Sequence, residues 1–516
     1  MTAGGAPQDR VMRPRSLLVP AVAVSALALI PLAYIVLITF QTGLATFVEL
    51  TFRPRVLELL VNTLALLALT IPACIAVGVG AAWLVERTNV PGRRVWAVLL
   101  AAPLVVPAFV TSYGWITVVP SLSGLPAGVL IATLAYFPLI YLPVVAILRR
   151  LDPALEEVSA SLGRDPRQVF AGVVLPQLRL PILGGALLVG LHLLAEYGAF
   201  AMVRFDTFTT AIIVQYRSTF NGPAAASLAS VLVLCCLVLL MFEHAARGDG
   251  RYARIGSGAP RPHRRIRLGS RSLPAALALA LVVAMAVGVP MLSIVRWLGL
   301  GGTAVWADDR LVGALVQTTL LAASGAVLAV VLALPLAILV VRFASTASRT
   351  LEATNYVTSA LPGIVVALAL ATITIRLVPP LYQTIVVLLL AYVLLFLPRA
   401  LVNLRSGIAQ VPIGLDEVAR SLGDTPAIAF LRVTARLASP AALAGGALVF
   451  LGIVNELTAT LLLGPNGTRT LTTQFWTHVT DLDYASAAPY ALLMVLLSVP
   501  MVSVLFRASQ GSIGHG

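Results

Sequence analysis

The charged stretch "LEEVSASLGRDPRQVFAGVVLP", residues 155–176, returns 260 positions later as "LDEVARSLGDTPAIAFLRVTA", residues 415–435. Both copies are polar and patterned like helices, whereas the chain around them consists of long apolar runs. Two copies of the same insert predict a chain made of two matching halves.

Other residues extend the match between the halves beyond these stretches. Spacings of 260 relate Glu157 to Glu417, Gly163 to Gly423, Pro166 to Pro426 and Glu196 to Glu456, and spacings of 255 relate Pro107 to Pro362 and Pro143 to Pro398. One short insertion before the second stretch accounts for the difference. If each half contains an even number of spans, both halves enter the membrane in the same orientation, as a parallel repeat.

The composition predicts an all-α, polytopic membrane protein. Of 516 residues, 59% are hydrophobic and 11% are charged, which is far from the make-up of a soluble globular protein. A helix of about 20 apolar residues crosses a hydrocarbon core of roughly 30 Å, and the length of the apolar runs argues against a strand barrel. Twelve such spans are predicted, at residues 17–40, 57–84, 95–118, 126–148, 180–203, 224–243, 274–295, 311–341, 355–375, 381–402, 440–463 and 485–506.

The distribution of charged residues along the chain predicts the domain boundaries and the orientation in the membrane. We expect a first transmembrane repeat at residues 1–246, a basic linker at 247–272 and a second repeat at 273–516. The net charge is +14 and every basic residue is arginine. Most of the arginines fall in alternate loops, which predicts a multi-pass protein of the cell membrane with both termini cytoplasmic. The basic linker is expected beside anionic lipid, and no nucleic-acid partner is expected.

Each charged stretch is predicted to form two short helices on the cytoplasmic side. In the first copy, Leu155, Val158 and Leu162 recur at helical spacing before a break at Gly163. The apolar stripe either rests on the protein's own spans or on lipid headgroups, or it docks on a partner. Two copies at equivalent positions favour docking on two equivalent subunits.

The second helix of each stretch has a start signal. Asp165 stands at the N-cap position with Pro166 at the first helical position, and Thr425 and Pro426 repeat this arrangement.

The first stretch resembles the "EAA" loop of binding-protein-dependent ATP-binding-cassette importer permeases, through Glu157, Gly163, Val173, Leu175 and Pro176. The second keeps the pattern but has Ala435 and Arg436 where Leu-Pro is expected. In that family the loop forms a coupling helix that sits in a cleft of each of two ATPase subunits. The resemblance therefore implies ATPase-coupling positions at Glu157, Ala160, Gly163, Asp165, Pro166, Glu417, Ala419, Gly423, Thr425 and Pro426.

The fused arrangement of two sets of six spans looks most like permeases of the ferric-iron importer group, with "NELTATLLLGPNGTRTLTTQFW" and "EYGAFAMVRFDTFTTAIIVQY" as the segments of finer similarity. Fused thiamine permeases share this plan. An extracytoplasmic substrate-binding protein is the partner that the family implies on the outer side, where a loop carries Arg469, His478, Asp481 and Asp483. A solvated loop is the alternative explanation for those four residues.

The chain is expected to be a transport permease with no catalytic residues and no cofactor. A P-loop requires a lysine beside the β- and γ-phosphates, and the sequence contains no lysine. ATP would therefore be used by a separate subunit.

Glu196, Glu456 and His192 are the candidate pathway residues, because ionisable groups inside spans are costly and usually functional. The two carboxyl groups lie about 16 residues into their spans, in the outer third by helical rise. Alternatively, such a glutamate caps the following loop or pairs with Arg204. No resident metal site is expected, because the second half has no histidine at the position of His192.

Two proline sites, Pro103 with Pro107 and Pro362 with Gly363, predict interruptions in the third and ninth spans. The alternatives to an ATP-driven importer are a secondary transporter with the charged loops as structural elbows, or a lipid-embedded scaffold. A secondary transporter would need coupling carboxylates near the midplane.

Overall fold

The computed structural model describes residues 15–149, 151, 153–219, 221–247 and 265–511. Within these ranges the chain is helical apart from connecting turns and one isolated bridge between Thr88 and Ile266. Most of the predicted linker, residues 248–264, lies outside the described residues.

The first half contains thirteen helices among the described residues: α1 (Arg15–Thr42), α2 (Leu44–Thr51), α3 (Pro54–Arg87), α4 (Arg93–Leu99), α5 (Ala108–Val118), α6 (Gly124–Tyr136), α7 (Pro138–Leu148), α8 (Pro153–Ser161), α9 (Pro166–Val169), α10 (Leu175–Ala195), α11 (Gly198–Met202), α12 (Phe208–Arg217) and α13 (Gly222–Arg247).

The second half follows this order with two differences. Its first span, Gly269–Gly301, consists of two helices with no counterpart of α2 after them, and one continuous helix stands in place of α6 and α7. Its helices are α14 (Ser272–Val283), α15 (Val289–Gly301), α16 (Asp309–Arg342), α17 (Thr346–Thr358), α18 (Gly363–Leu377), α19 (Ile385–Ala409), α20 (Ile413–Ser421), α21 (Pro426–Ala429), α22 (Arg436–Val454), α23 (Thr458–Leu463), α24 (Leu471–Thr480) and α25 (Tyr484–Gly511).

The all-α fold with two sets of six spans is confirmed. Ten helices of the described chain are long and apolar enough to cross a membrane, and two bent helix pairs raise the total to twelve if each pair counts as one span. Five crossings and one bent pair fall in each half, so the two halves have the same number of spans.

The third and ninth spans, predicted at residues 95–118 and 355–375 with interruptions at prolines, are bent pairs of helices. Arg93–Val105 meets Ala108–Val118 at 94°, and Thr346–Thr358 meets Gly363–Leu377 at 101°. The breaks lie at Pro107 and Pro362, each of which precedes the second helix of its pair. Proline has no backbone N–H to donate to the preceding turn, and α5 and α18 begin with buried residues, where packed protein tolerates a broken backbone.

The fifth and eleventh spans also differ from the predicted ranges, 180–203 and 440–463. The observed spans are Phe170–Ala195 and Pro426–Val454, so they begin and end earlier along the chain than predicted. Short π-helical segments, Phe170–Val174 and Phe430–Ala435, lead into α10 and α22. The entry into both long helices is therefore the same, although Ala435 and Arg436 replace Leu-Pro in the second half.

The first helix of each half packs on the other half. Helix α1 lies against α16, α17 and α18, and Asn355 of α17 donates a hydrogen bond of 2.9 Å to Ser25 Oγ. In return, α15 lies against α5, and Trp115 of α5 donates to the carbonyl oxygen of Met285 at 3.3 Å. Each half therefore contributes to the buried surface of the other, and hydrophobic clusters of the described chain contain residues from both halves.

We expect Gly114→Ala to destabilise the contact between α5 and α15. A Cβ at Gly114 would lie 2.6 Å from the Cα of Pro290, and backbone cannot move aside as a side chain can. Overpacking of this kind costs about 1–3 kcal/mol, so the purified variant should unfold at a lower temperature. Gly184→Ala is the matched control, because no atom lies within 4 Å of the added Cβ. Equal melting temperatures for the two variants would contradict the packing described here.

Candidate functional sites: two charged loops and a buried polar cluster

Each charged loop forms the predicted pair of short helices around a glycine turn. Gly163, between α8 and α9, has φ +83°, and Gly423, between α20 and α21, has φ +98°. A residue with a side chain is strained at such angles. The turn in both copies therefore depends on glycine.

The apolar stripe of each loop faces away from the rest of the chain. Leu162 is 76% exposed and Leu422 is 82% exposed, and Val158 and Val418 are more than half exposed. The alternative that the apolar stripe rests on the protein's own spans is therefore wrong. Two equivalent apolar surfaces of this kind are available for a partner.

The predicted caps are present in both loops. Asp165 Oδ1 accepts the backbone N–H of Gln168 at 2.8 Å, and Thr425 Oγ1 accepts that of Ile428 at 3.4 Å. Pro166 and Pro426 begin α9 and α21.

Ala160 and Ala419, both predicted as coupling positions, do not occupy equivalent places in the two loops. Ala419 is buried, but its equivalent in the first loop is the buried Ser159, whereas Ala160 is exposed and corresponds to Arg420. Glu157 and Glu417 are exposed in both loops.

An ion pair connects each loop to a core helix, and it is buried in the first half and partly buried in the second. Arg87, at the end of α3, lies 2.9 Å from Glu156 of α8, with side-chain exposures of 1% and 11%. Arg342, at the end of α16, lies 3.5 Å from Asp416 of α20. These four residues occupy equivalent positions in the repeat and were not singled out from the sequence, although two arginines 255 apart at the ends of long apolar runs are a readable signal.

The two ion pairs differ in their surroundings. Thr434 donates its hydroxyl to Asp416 at 2.7–2.8 Å, whereas the equivalent position in the first half is the fully buried Val174. Burial raises the pKa of the Glu156 carboxyl, and the charge of Arg87 opposes that shift. Glu156 therefore depends on Arg87 more than Asp416 depends on Arg342.

The described end of the linker lies beside the first ion pair. Ile266 donates its backbone N–H to the carbonyl oxygen of Arg87 at 2.9 Å, and Leu268 donates to the side chain of Asn89. The linker and the first charged loop therefore lie on the same side of the membrane-spanning body.

Glu196 and Glu456 lie just after the long helices α10 and α22. Their carboxyl groups accept hydrogen bonds from the short helices that follow, α11 and α23. Glu196 accepts the N–H of Ala199 at 2.9 Å and the hydroxyl of Tyr136 at 2.7 Å. Tyr136 lies at the middle of the 25-residue span Gly124–Leu148. The tyrosine that binds Glu196 therefore does not lie in the outer third, where the sequence placed this carboxyl group. Within the described residues no salt bridge joins Glu196 to Arg204, and the capping alternative fits better.

The second carboxyl group is held in the same way. Glu456 Oε1 accepts the N–H of Ala459 at 2.8 Å and the hydroxyl of Thr458 at 2.6 Å. A Cβ at Gly363 would lie 3.2 Å from the same oxygen. The glycine after Pro362 therefore leaves room for the carboxyl group.

The halves differ in the side chain beside these carboxyl groups. His192 packs against the ring of Tyr136, with ring centres 5.3 Å apart. Its equivalent is Gly452, where a Cβ would lie 2.8 Å from Nη1 of Arg399. The guanidinium of Arg399 therefore occupies space that a side chain at this position would need.

Electrostatic interactions join Arg399 to Glu456 and to His192, and join Glu196 to Glu456. The three predicted pathway residues and Arg399 are half-buried and lie within electrostatic range of one another, and we name these four residues the polar cluster. Arg399 was not singled out from the sequence, although an arginine inside the predicted span 381–402 is a readable signal.

The model of the family described as "Binding-protein-dependent transport system inner membrane component" matches residues 41–248 and 329–510. The chain belongs to this family. The permease is similar to "Fe(3+)-transport system permease protein FbpB 2" of Haemophilus influenzae, with 37% identity over 473 residues, 91% of this chain and 93% of that protein.

Other relatives match about half of the permease. "Sulfate transport system permease protein CysW" of Escherichia coli is 24% identical over 235 residues, which cover 42% of this chain and 81% of that protein. "Sulfate permease 2, chloroplastic" of Chlamydomonas reinhardtii is 28% identical over 274 residues, 48% of this chain and 73% of that protein. The relative from E. coli is therefore about as long as one half, in agreement with the repeat.

The family assignment confirms a multi-pass inner-membrane permease of an ATP-binding-cassette importer, a class that works with ATPase and substrate-binding partners. It is a transport protein rather than an enzyme. Among the described residues, no group of three or more His, Cys, Asp or Glu side chains could hold a metal ion.

The loop predicted to meet the substrate-binding protein carries a small charged network. His478 lies 3.7 Å from both Asp308 and Asp483, and Tyr490 donates a hydrogen bond of 2.6 Å to Asp308. Partial burial acts to raise the pKa of Asp308, but the hydrogen bonds from Tyr490 and from the N–H of Arg310 outweigh it and hold the pKa below its ordinary value. The loop is therefore ordered by its own charges, and docking there stays a prediction.

Proposed function

We propose that this permease carries ferric iron inward across the cytoplasmic membrane by alternating access, driven by two separate ATPase subunits. The observation that supports the substrate is the 37% identity to a ferric permease over nearly the full length of both chains. The sulfate permeases are matched over less of the chain and at lower identity. Thiamine or another small solute is the alternative cargo.

The coupling loops support two ATPase subunits that bind equivalently. Leu162 and Leu422 present the same exposed stripe from the two halves, and the chain without lysine cannot form a standard P-loop. We place the loops, the linker and both termini on the cytoplasmic side, as the arginine-rich loops indicate. ATP binding would draw the two loops together and open the pathway outward, with the two halves as the bistable element.

The ionisable cluster supports a pathway between the halves. A cation would meet the carboxylates of Glu196 and Glu456, and the charge of Arg399 would keep the cluster from holding it too tightly. Membrane lipid surrounds the apolar outer faces, and an extracytoplasmic binding protein delivers the cargo on the opposite side.

We expect Leu162→Glu with Leu422→Glu to abolish coupling. A charge in each stripe would have to be desolvated on docking, so iron uptake and copurification of the ATPase should both fall by roughly tenfold or more. The measurement is radioactive iron uptake into vesicles holding permease, ATPase and binding protein. Leu482→Glu is the matched control, because that exposed leucine lies in the opposite loop. Uptake that persists without any ATPase would refute the importer proposal, and uptake of another solute in place of iron would refute only the substrate.

A further inference from the structure

An open cleft lies between the two halves on the membrane side opposite the charged loops. It has a volume of about 440 Å³ and is lined from the first half by Tyr216 and Arg217 and from the second by Thr372, Arg376, Tyr382 and Gln383. Helix α13 begins at its edge and runs from there to the linker. We name this space the outer cleft.

The outer cleft is basic. Of the described residues that line it, two are arginines and none is acidic. Arg376 donates a hydrogen bond of 2.8 Å to the side chain of Gln41, and neither Arg376 nor Arg217 forms a salt bridge within the described chain. Two guanidinium groups therefore face one space with no carboxylate to neutralise them.

The polar groups of the outer cleft suit an oxyanion. Each guanidinium carries several N–H donors in a planar fork that matches a carboxylate or phosphate. The hydroxyl groups of Tyr216 and Tyr382 hydrogen-bond to each other, which leaves one hydroxyl hydrogen for a further acceptor. The volume exceeds that of one water by far and accommodates a small molecule that bears one such group.

We propose that the outer cleft binds a small oxyanion, a phosphate or carboxylate group, held between Arg217 of the first half and Arg376 of the second. Since the arginines come from different halves, movement of the halves changes the distance between them and hence the affinity. The wall of the cleft includes Leu461 of α23, the short helix whose Thr458 hydrogen-bonds to Glu456. The anion site therefore adjoins the polar cluster.

One consequence rests on the proposed function. A bare trivalent cation would be repelled by two guanidinium groups at the outer side, and a bound oxyanion offsets that repulsion. Anion binding itself does not depend on which solute is carried.

The test uses the permease with its ATPase partner in nanodiscs of phosphatidylcholine, with radiolabelled inorganic phosphate as the probe. We expect saturable binding at one site. The single variant Arg217→Gln and the double variant Arg217→Gln with Arg376→Gln should raise the dissociation constant for phosphate by roughly tenfold or more. The single variant keeps the contact between Arg376 and Gln41 and serves if the double variant does not fold. Arg53→Gln is the control, an exposed arginine outside the cleft.

A second arm separates free anion from lipid headgroup. Native mass spectrometry counts the phosphatidylglycerol molecules retained without phosphate. Phosphate binding lost in the cleft variants supports a free anion, and retained lipid lost in the same variants supports a headgroup as the anion. If neither probe binds, or if Arg53→Gln loses as much as the cleft variants, the proposal is overturned. Neither arm measures uptake, so a permease that proves not to carry iron leaves this result unaffected.

Discussion

Replacing Arg87 with glutamine is expected to destabilise the first coupling loop and to reduce ATP-driven uptake severely. The substitution removes the charge that faces Glu156 at 2.9 Å in a site where Arg87 is only 1% exposed. Breaking a buried pair from one side costs about 3–5 kcal/mol, because the remaining charge is left without compensation. Thermal unfolding of the purified permease, and ATP hydrolysis stimulated by the binding protein, are the measurements.

The pH dependence of this variant has a defined sign. Burial raises the pKa of Glu156 in the folded state, so the stability tied to its protonated form is present at low pH and is lost as the pH rises through that pKa. Without Arg87 the pKa rises further. The deficit of Arg87→Gln should therefore shrink as the pH is lowered from neutral toward the pKa of Glu156.

Two further variants test the cause. Arg342→Gln should have a smaller effect, because the pair with Asp416 is longer and Thr434 also donates to that carboxylate. Adding Glu156→Gln to Arg87→Gln should restore part of the lost stability, since no unpaired charge then remains. If Arg87→Gln melts like the unmodified permease, the ion pair does not hold the loop.

Replacing Glu456 with glutamine is expected to lower uptake by roughly tenfold or more while leaving stability nearly unchanged. A glutamine oxygen still accepts the N–H of Ala459 and the hydroxyl of Thr458, but the negative charge opposite Arg399 is gone. Glu456→Ala loses the cap as well, which costs about 0.5–2 kcal/mol. Uptake and thermal unfolding measured on both variants separate the pathway role from the capping role.

The equivalent change Glu196→Gln should have a smaller effect on uptake, because His192 rather than an arginine lies beside it. Glu49→Gln is the control for loss of an exposed carboxylate elsewhere in the chain. Wild-type uptake in Glu456→Gln, together with lower stability in Glu456→Ala, would mean that the carboxyl group only caps the helix.

The coupling loops could be predicted in detail because their determinants are local. The turn at Gly163, the cap at Asp165 and the proline that follows it act over a few residues, and the second copy confirms the pattern. The inward partner of each loop could not be predicted. Glu156 and Glu157 are adjacent acids, and only the packing of α8 on α3 decides which of them faces Arg87.

The bends at Pro107 and Pro362 could be predicted only in part from the sequence. Proline predicts an interruption, but the angle of 94° or 101° depends on which buried helices receive the second segment. Arg399 is a mixed case. An arginine inside an apolar run marks a candidate functional residue by the same rule as Glu196, but its neighbour across the space, Gly452, lies in another helix. No pattern within one helix records that contact.

The amino-acid sequence by itself determined the apolar spans, the duplication, the coupling loops and the need for a separate ATPase, because each depends on composition or on residues a few positions apart. Only the tertiary structure decided the exchange of first helices, the ion pairs behind the loops, the polar cluster and the outer cleft. Each of these joins segments far apart in the chain, often from different halves, and their contacts are set by how the helices pack.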